Sequence, residues 1–73
     1  MPKLRRYWLW KVVVEELEYG LGEDEFYVIA KDLSSAAKKG IKAYKKEVEE
    51  SGRWPSEENF KVISVRLLGE VWI

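Results

Sequence analysis

The sequence predicts a small α+β domain of ββαβ(β) pattern: a three-stranded antiparallel or mixed sheet in strand order 2-1-3, with one amphipathic helix packed on one face. Three observations carry this. Aromatic and β-branched residues crowd Tyr7 to Val14 and recur, after a glycine-containing turn, at Phe26 to Ile29. A stretch with apolar residues at helical spacing follows between Asp32 and Gly52, bounded by residues suited to begin and end a helix. Beyond Pro55, apolar residues again alternate with polar ones.

The first strand is predicted from about Leu4 to Glu18, around Tyr7-Trp8-Leu9-Trp10-Lys11-Val12-Val13-Val14. Tyr19-Gly20-Leu21-Gly22-Glu23-Asp24 is the turn, because two glycines supply the positive φ values a tight loop needs. Glu25 to Lys31 returns as the second strand. Asp32 is placed to cap a helix: its carboxylate can accept from first-turn amides and lies at the positive end of the helix dipole. The helix should run from Leu33 to about Ser51 and stop at Gly52, a residue suited to the left-handed position after a helix. At roughly 100° per residue, Leu33, Ala36, Ala37, Gly40, Ile41, Tyr44 and Val48 share one face. Lys38, Lys39, Lys42, Lys45, Lys46 and Glu49 share the other. Gly40 on the apolar stripe implies close approach to something bulky, for which a sheet tryptophan is the expected neighbour, since an interior helical glycine costs about 1 kcal/mol relative to alanine. Pro55 blocks any continuation of the helix. The last strand is predicted from Phe60 to Leu68; after Gly69, Glu70-Val71-Trp72-Ile73 either extends it past a bulge or forms a short fourth strand.

Chain direction sets the topology. The first strand runs up, the second down, the helix up and the third strand down, so the third pairs beside the first. The first strand, with the longest apolar run, becomes central. Because strand side chains alternate between faces, one register turns Trp8, Trp10, Val12, Val14, Phe26, Val28, Ala30, Ile63 and Val65 toward the helix. The other face then carries Tyr7, Leu9, Val13, Tyr27, Ile29, Val62 and Leu68, with Lys11, Lys31 and Arg66 among them. Reversing the first strand would instead put the tryptophans there. Either way, several large apolar side chains lie away from the single helix, and soluble monomers rarely expose apolar patches beyond a few hundred Å². The expectation is an interface, with a symmetric homodimer the commonest solution and a foreign protein using the same surface. The competing expectation is that the loops, Trp54 and Val71-Trp72-Ile73 fold over that face.

Composition narrows the function classes. Seventy-three residues set one domain, residues 1–73, as the ceiling. A chain this short buries only about 60% of the surface its unfolded form exposes. With no Cys and no His, disulfides and the usual zinc ligands are excluded, which leaves self-association or dense aromatic packing as the means of stabilisation. Four Trp, four Tyr and two Phe suit the second. The formal charge is zero, which weakens bulk nucleic-acid binding without excluding a local basic patch. Absence of Gln and Thr, with charge mainly from Lys and Glu, gives a thermophile-like composition. Lys3, Arg5 and Arg6 make a basic start, but the run after them is broken by Lys11 and too short to span a bilayer, so a cytoplasmic protein with no membrane association is expected.

Catalysis is not expected, and neither is a small-molecule substrate, a metal or another cofactor. The commonest general base and the best nucleophile are both missing. Ser34 and Ser35 are helix-start residues, and the carboxylate groups around Glu15-Glu16, Glu23-Asp24-Glu25, Glu47/Glu49/Glu50 and Glu57-Glu58 sit in polar stretches or at element ends, where solvation keeps them ordinary. Glu23-Asp24-Glu25 lacks the ligand spacing of a calcium loop. The lysine face (Lys38, Lys39, Lys42, Lys45, Lys46, with Arg5 and Arg6) could contact a phosphate backbone or an acidic partner. Its simpler reading is a solvated helix face partly balanced by Lys45–Glu49 and Lys46–Glu50 pairs. Trp54, beside Arg53, has hot-spot composition, although a small core in need of large side chains favours Trp54 as a plug.

The runs Tyr27-Val28-Ile29-Ala30-Lys31-Asp32-Leu33-Ser34-Ser35-Ala36 and Val62-Ile63-Ser64-Val65-Arg66-Leu67-Leu68-Gly69-Glu70-Val71 resemble short proteins of phages and archaeal viruses. In those, a strand, an alanine, a cap and a helix precede a closing strand. The resemblance covers most of the chain and brings no functional motif. Some small phage proteins of this kind inhibit host machinery, including CRISPR effectors and RNA polymerase. What it implies is a non-enzymatic, homodimeric interaction protein, of the type that occupies a host protein's surface in the host cytoplasm; the alternative is a small nucleic-acid-binding module using the basic helix face.

Overall fold

The valine- and aromatic-rich first run forms the central strand of a three-stranded antiparallel sheet. The computed structural model describes residues 4–73, so Lys3 of the basic start lies outside it. In chain order the elements are β1 (Arg6–Glu16), β2 (Gly22–Ala30), α1 (Leu33–Glu50), a 3₁₀ turn (Glu57–Asn59) and β3 (Phe60–Trp72). The strand order is β2-β1-β3, with both pairings antiparallel and α1 packed on one face.

β1 and β2 pair without interruption from Trp8↔Ala30 to Glu16↔Gly22. The turn is tighter than the sequence predicts: β1 ends at Glu16 rather than Glu18, and β2 begins at Gly22 rather than Glu25. The cause is Glu16. Only 1% exposed, its carboxylate accepts from the Tyr19 amide (2.8 Å) and the Leu21 amide (3.1 Å), gathering the turn's free donors onto one buried acceptor. Gly20 (φ 66°) and Gly22 (φ 82°) take the left-handed conformation the turn requires. The expectation that every carboxylate here lies in solvent is therefore corrected at Glu16. It continues the inward series Trp10, Val12, Val14, and tertiary packing follows that parity.

Helix α1 begins and ends as its sequence dictates. Asp32 Oδ1 accepts from the Ser35 amide at 2.8 Å, and this bond holds the Asp32 carboxyl below its ordinary value. At the other end, Gly52 adopts φ 91°, with Gly52 N–H donating to Glu49 O (3.0 Å) and Arg53 N–H to Val48 O (3.3 Å), the paired bonds of a Schellman stop. Ala36, Gly40, Tyr44 and Val48 are buried against the sheet, whereas Leu33, expected on that stripe, is exposed. Gly40 sits over Val12, not over a tryptophan: a Cβ placed there would lie 2.9 Å from Val12 Cβ. Tyr44 packs between Phe26 and Phe60, tilted against the first and edge-on to the second with both ring centroids at 5.4 Å, and its hydroxyl donates to Gly22 O at 2.9 Å. Trp10 likewise spends its indole N–H on Ala30 O (3.1 Å).

β3 is one continuous strand through Gly69 to Trp72, so the tail forms no separate fourth strand. Two register shifts against β1 bring this about, between Leu9 and Trp10 and between Val13 and Val14. They also change which side chains face α1. The second shift carries Val62 inward against the core and leaves Ile63 exposed, reversing the expected placement of both. β2 stops opposite Trp8, while β1 and β3 continue as a pair to Arg6↔Trp72, and Arg5 and Ile73 exchange two further backbone hydrogen bonds. The projecting ribbon makes the molecule long, 46 × 23 × 16 Å. Its radius of gyration is 13.6 Å, against roughly 11 Å for a compact domain of this length.

Candidate interaction surface

The face of the sheet opposite α1 has no layer packed on it among the described residues. Its rows read directly from strand register. At one end lie Glu23, Glu15 and Lys61; then Glu25, Val13 and Ser64; then Tyr27, Lys11 and Arg66; then Ile29, Leu9 and Gly69; and at the far end Tyr7 and Val71. Leu68, in the register shift beside Leu9, is exposed, and Tyr27 is 62% exposed. Of the residues expected on this face, Tyr7, Leu9, Val13, Tyr27 and Ile29 share it by register, Leu68 is exposed in the shift beside Leu9, and Val62 is removed to the core side by the shift at Val13/Val14. Sequence reasoning missed Val71, which joins the face only because β3 runs past Gly69.

The tail and loops do not cover this surface. Val71 is a member of it, and Trp72 pairs with Arg6 on the opposite face, 56% exposed. Trp54 does not plug the core: it is 72% exposed, and the buried residue of that loop is Pro55. Two adjoining contacts explain why. Glu18 Oε1 accepts from the Ser56 amide (3.1 Å) and from Asn59 Nδ2 (2.7 Å), tying the loop to the β1–β2 turn, and the Arg53 guanidinium lies 5.6 Å from the centre of the Tyr19 ring. The core end this loop approaches is already filled by Tyr44, Val48 and Phe60.

Charge on the uncovered face is graded along the strands. Glu15, Glu23 and Glu25 gather at one end, where Lys61 lies across from Glu15 in the same row, and an open depression of about 420 Å³ there is lined by Val13, Glu23, Asp24, Glu25 and Tyr27. Lys11 and Arg66 are direct cross-strand neighbours, an unfavourable like-charge pair in isolation. Glu25 relieves Lys11 at 3.3 Å, the single ion pair within 4 Å among the described residues. The far end is basic: the Lys31 ammonium lies 6.0 Å from the centre of the Tyr7 ring, and alternation from Tyr7 puts Arg5 on the same face.

The other basic residues do not form one surface. Lys38, Lys42 and Lys46 are exposed and Lys45 half-buried on α1, whereas Lys39 donates to Ile29 O and is tied to the sheet. Arg6 lies on the helix side of the projecting ribbon, its guanidinium 5.0 Å from the Trp8 ring centre. The expected Lys45–Glu49 and Lys46–Glu50 pairs are not among the contacts within 4 Å. Nothing in the structure explains the three glutamates at the helix C-terminus, which oppose its dipole.

A second depression, about 240 Å³, is lined by Leu21, Asp24, Tyr44, Glu47, Val48 and Ser51. Among the described residues, no three or more His, Cys, Asp or Glu are grouped to hold a metal ion, and no helix is long and apolar enough to cross a membrane. No protein-family model, curated protein or solved structure matches this chain, so its candidate surface stands on its own geometry.

Proposed function

We propose that this chain is a non-enzymatic interaction protein that docks a protein surface on its uncovered sheet face, and that the partner is a second copy of itself. The observation that carries this is the apolar middle of the face. Tyr7, Leu9, Tyr27, Ile29, Leu68 and Val71 lie near one another with no described residue packed over them, where the β1–β3 pair continues past the end of β2. Two-stranded ribbons are marginal alone in water and gain stability when a further layer covers them. A phage-type inhibitor, the class the sequence resembles, would present the same face to a host protein. Light scattering and sedimentation velocity across a range of protein concentrations test the proposal. The expected result is a dimer mass that Leu9→Asp converts to a folded monomer; a monomer at every concentration would overturn self-association.

One observation favours a second reading, a nucleic-acid-binding module on α1. The ammonium groups of Lys38, Lys42, Lys45 and Lys46 have no carboxylate within 4 Å, so they remain available to phosphate. Electrophoretic shifts with duplex and single-stranded probes at low and moderate salt test it. Replacing the four lysines with glutamine should abolish any shift, and no shift at micromolar wild-type protein rules this reading out.

A further inference from the structure

The free edge of β2 carries two side-chain contacts that the docking face does not use. Arg5 and Ile73 exchange backbone hydrogen bonds in both directions (2.7 and 3.1 Å), which fixes the phase of the sheet. Odd-numbered residues of β1 turn their N–H and C=O groups to β3, and even-numbered ones turn them to β2. The Leu17 amide, donating to Asn59 O at 2.9 Å, keeps that parity at the other end. Trp10↔Val28 and Val12↔Phe26 are therefore hydrogen-bonded pairs of β1 with β2. Glu25, Tyr27 and Ile29 alternate with them and direct their backbone groups outward, along the free edge. Such a row invites another strand unless it is blunted. Here Asp24 Oδ1 accepts from the Glu25 amide at 2.8 Å, and the Lys39 ammonium reaches from α1 to donate to Ile29 O.

The two occupied groups are partners in one particular strand pairing. Let β2 meet β2 of a second copy, antiparallel and centred on Tyr27. Tyr27 then pairs with itself, Phe26 with Val28, Glu25 with Ile29 and Asp24 with Ala30, and no like charges oppose one another. The outward row supplies the bonds in that register, so the Glu25 amide of each copy would donate to the Ile29 carbonyl of the other. Donor and acceptor of that bond are both already engaged within the subunit. We propose that Lys39, aided by Asp24, closes the β2 edge against strand-to-strand pairing with a second copy, an autoinhibitory contact built into the fold. The edge of β3 is blunted by other means: among the described residues no side-chain hydrogen bond ends on its backbone, and its two register shifts interrupt the outward row. The closure concerns the edge alone and stands apart from the docking face, whatever occupies that face.

The test opens the edge and compares it with a matched loss of charge. Lys39→Met removes the donor and keeps the length of the side chain. Lys42→Met removes the same charge from an exposed position of the same helix that makes no hydrogen bond to the sheet among the described residues. Far-UV circular dichroism checks that the variants fold. In sedimentation velocity across a range of concentrations, Lys39→Met should associate beyond the wild-type species at about tenfold lower concentration, the worth of one to two hydrogen bonds. Lys42→Met and the conservative Lys39→Arg should match wild type. Equal association by Lys39→Met and Lys42→Met, or no change in either, overturns the proposal. Tyr27→Pro deletes an outward N–H that β1 does not use, so adding it to Lys39→Met should restore wild-type behaviour; a gain that persists there places the contact elsewhere and sinks the edge reading. Repeating the comparison in Leu9→Asp, which disables the uncovered face, separates the two surfaces. The gain from Lys39→Met should survive in that background, and its disappearance would assign it to the face. A wild type that is monomeric throughout overturns self-association on the face and leaves the closed edge standing.

Discussion

At the scale of single residues, three side chains set local structure in ways that can be tested. Gly40 has no room for a methyl group, because Val12 Cβ would lie 2.9 Å away and Val12 belongs to the fully buried central strand. Overpacking typically costs about 1–3 kcal/mol, while removing a helical glycine returns about 1 kcal/mol. Gly40→Ala should therefore destabilise the protein or at best leave it unchanged, and chemical denaturation should show it less stable by about 1 kcal/mol. Tyr44 and Asp32 respond to opposite ends of the pH scale. Burial, followed by the nearby Asp24, Glu16 and Glu47, raises the Tyr44 hydroxyl above its ordinary value of 10.0. Its contribution is whole below that value and is lost as pH rises through the raised one, because the unfolded chain ionises first. The Asp32 carboxyl is lowered from 3.8 by the Ser35 amide, so its contribution is present above that value and is lost as pH falls through the lowered one. Thermal melts at fixed salt should show Tyr44→Phe losing part of the alkaline decline, and Asp32→Ala losing part of the acid decline.

At the scale of elements, β3 differs most from what its sequence pattern suggests. A strict alternation from Ile63 would put Ile63 inward and Val62 outward, yet the shift beside Val13 exchanges them. Bulges are invisible to a period-two reading because they are decided by the partner strand, and β1 lies some fifty residues earlier in the chain. Trp54 shows the same limit. Its loop is drawn to the β1–β2 turn by Glu18, and the core space it was expected to fill is occupied by the Tyr44–Phe60 pair. Trp54→Ala should accordingly change stability by less than about 0.5 kcal/mol, as substitutions at exposed sites usually do. A larger loss on denaturation would mean that the indole is packed in solution.

At the scale of the whole molecule, one helix covers one side of a three-stranded sheet, and the β1–β3 ribbon runs beyond it. The elongation comes from long strands, with the β1–β3 pair continuing past the end of β2, while the apolar rows are uncovered because α1 packs only on the other face. Charges of both signs lie along the same face, with Glu15, Glu23 and Lys61 toward one end and Arg5 and Lys31 toward the other.

Element order, the capped and terminated helix, the 2-1-3 strand order and the surplus of apolar sheet surface were all legible in the amino acids alone. Each depends on local periodicity, on the chemistry of Asp32 and Gly52, or on chain direction, and these need no knowledge of distant partners. Tertiary structure alone decided the burial of Glu16, the exchange of Val62 with Ile63, the exposure of Trp54 and the alignment of Arg5, Lys31 and the acidic row on one surface. Those outcomes depend on register between strands far apart in sequence and on which side chain reaches a limited core first, and a linear pattern carries neither.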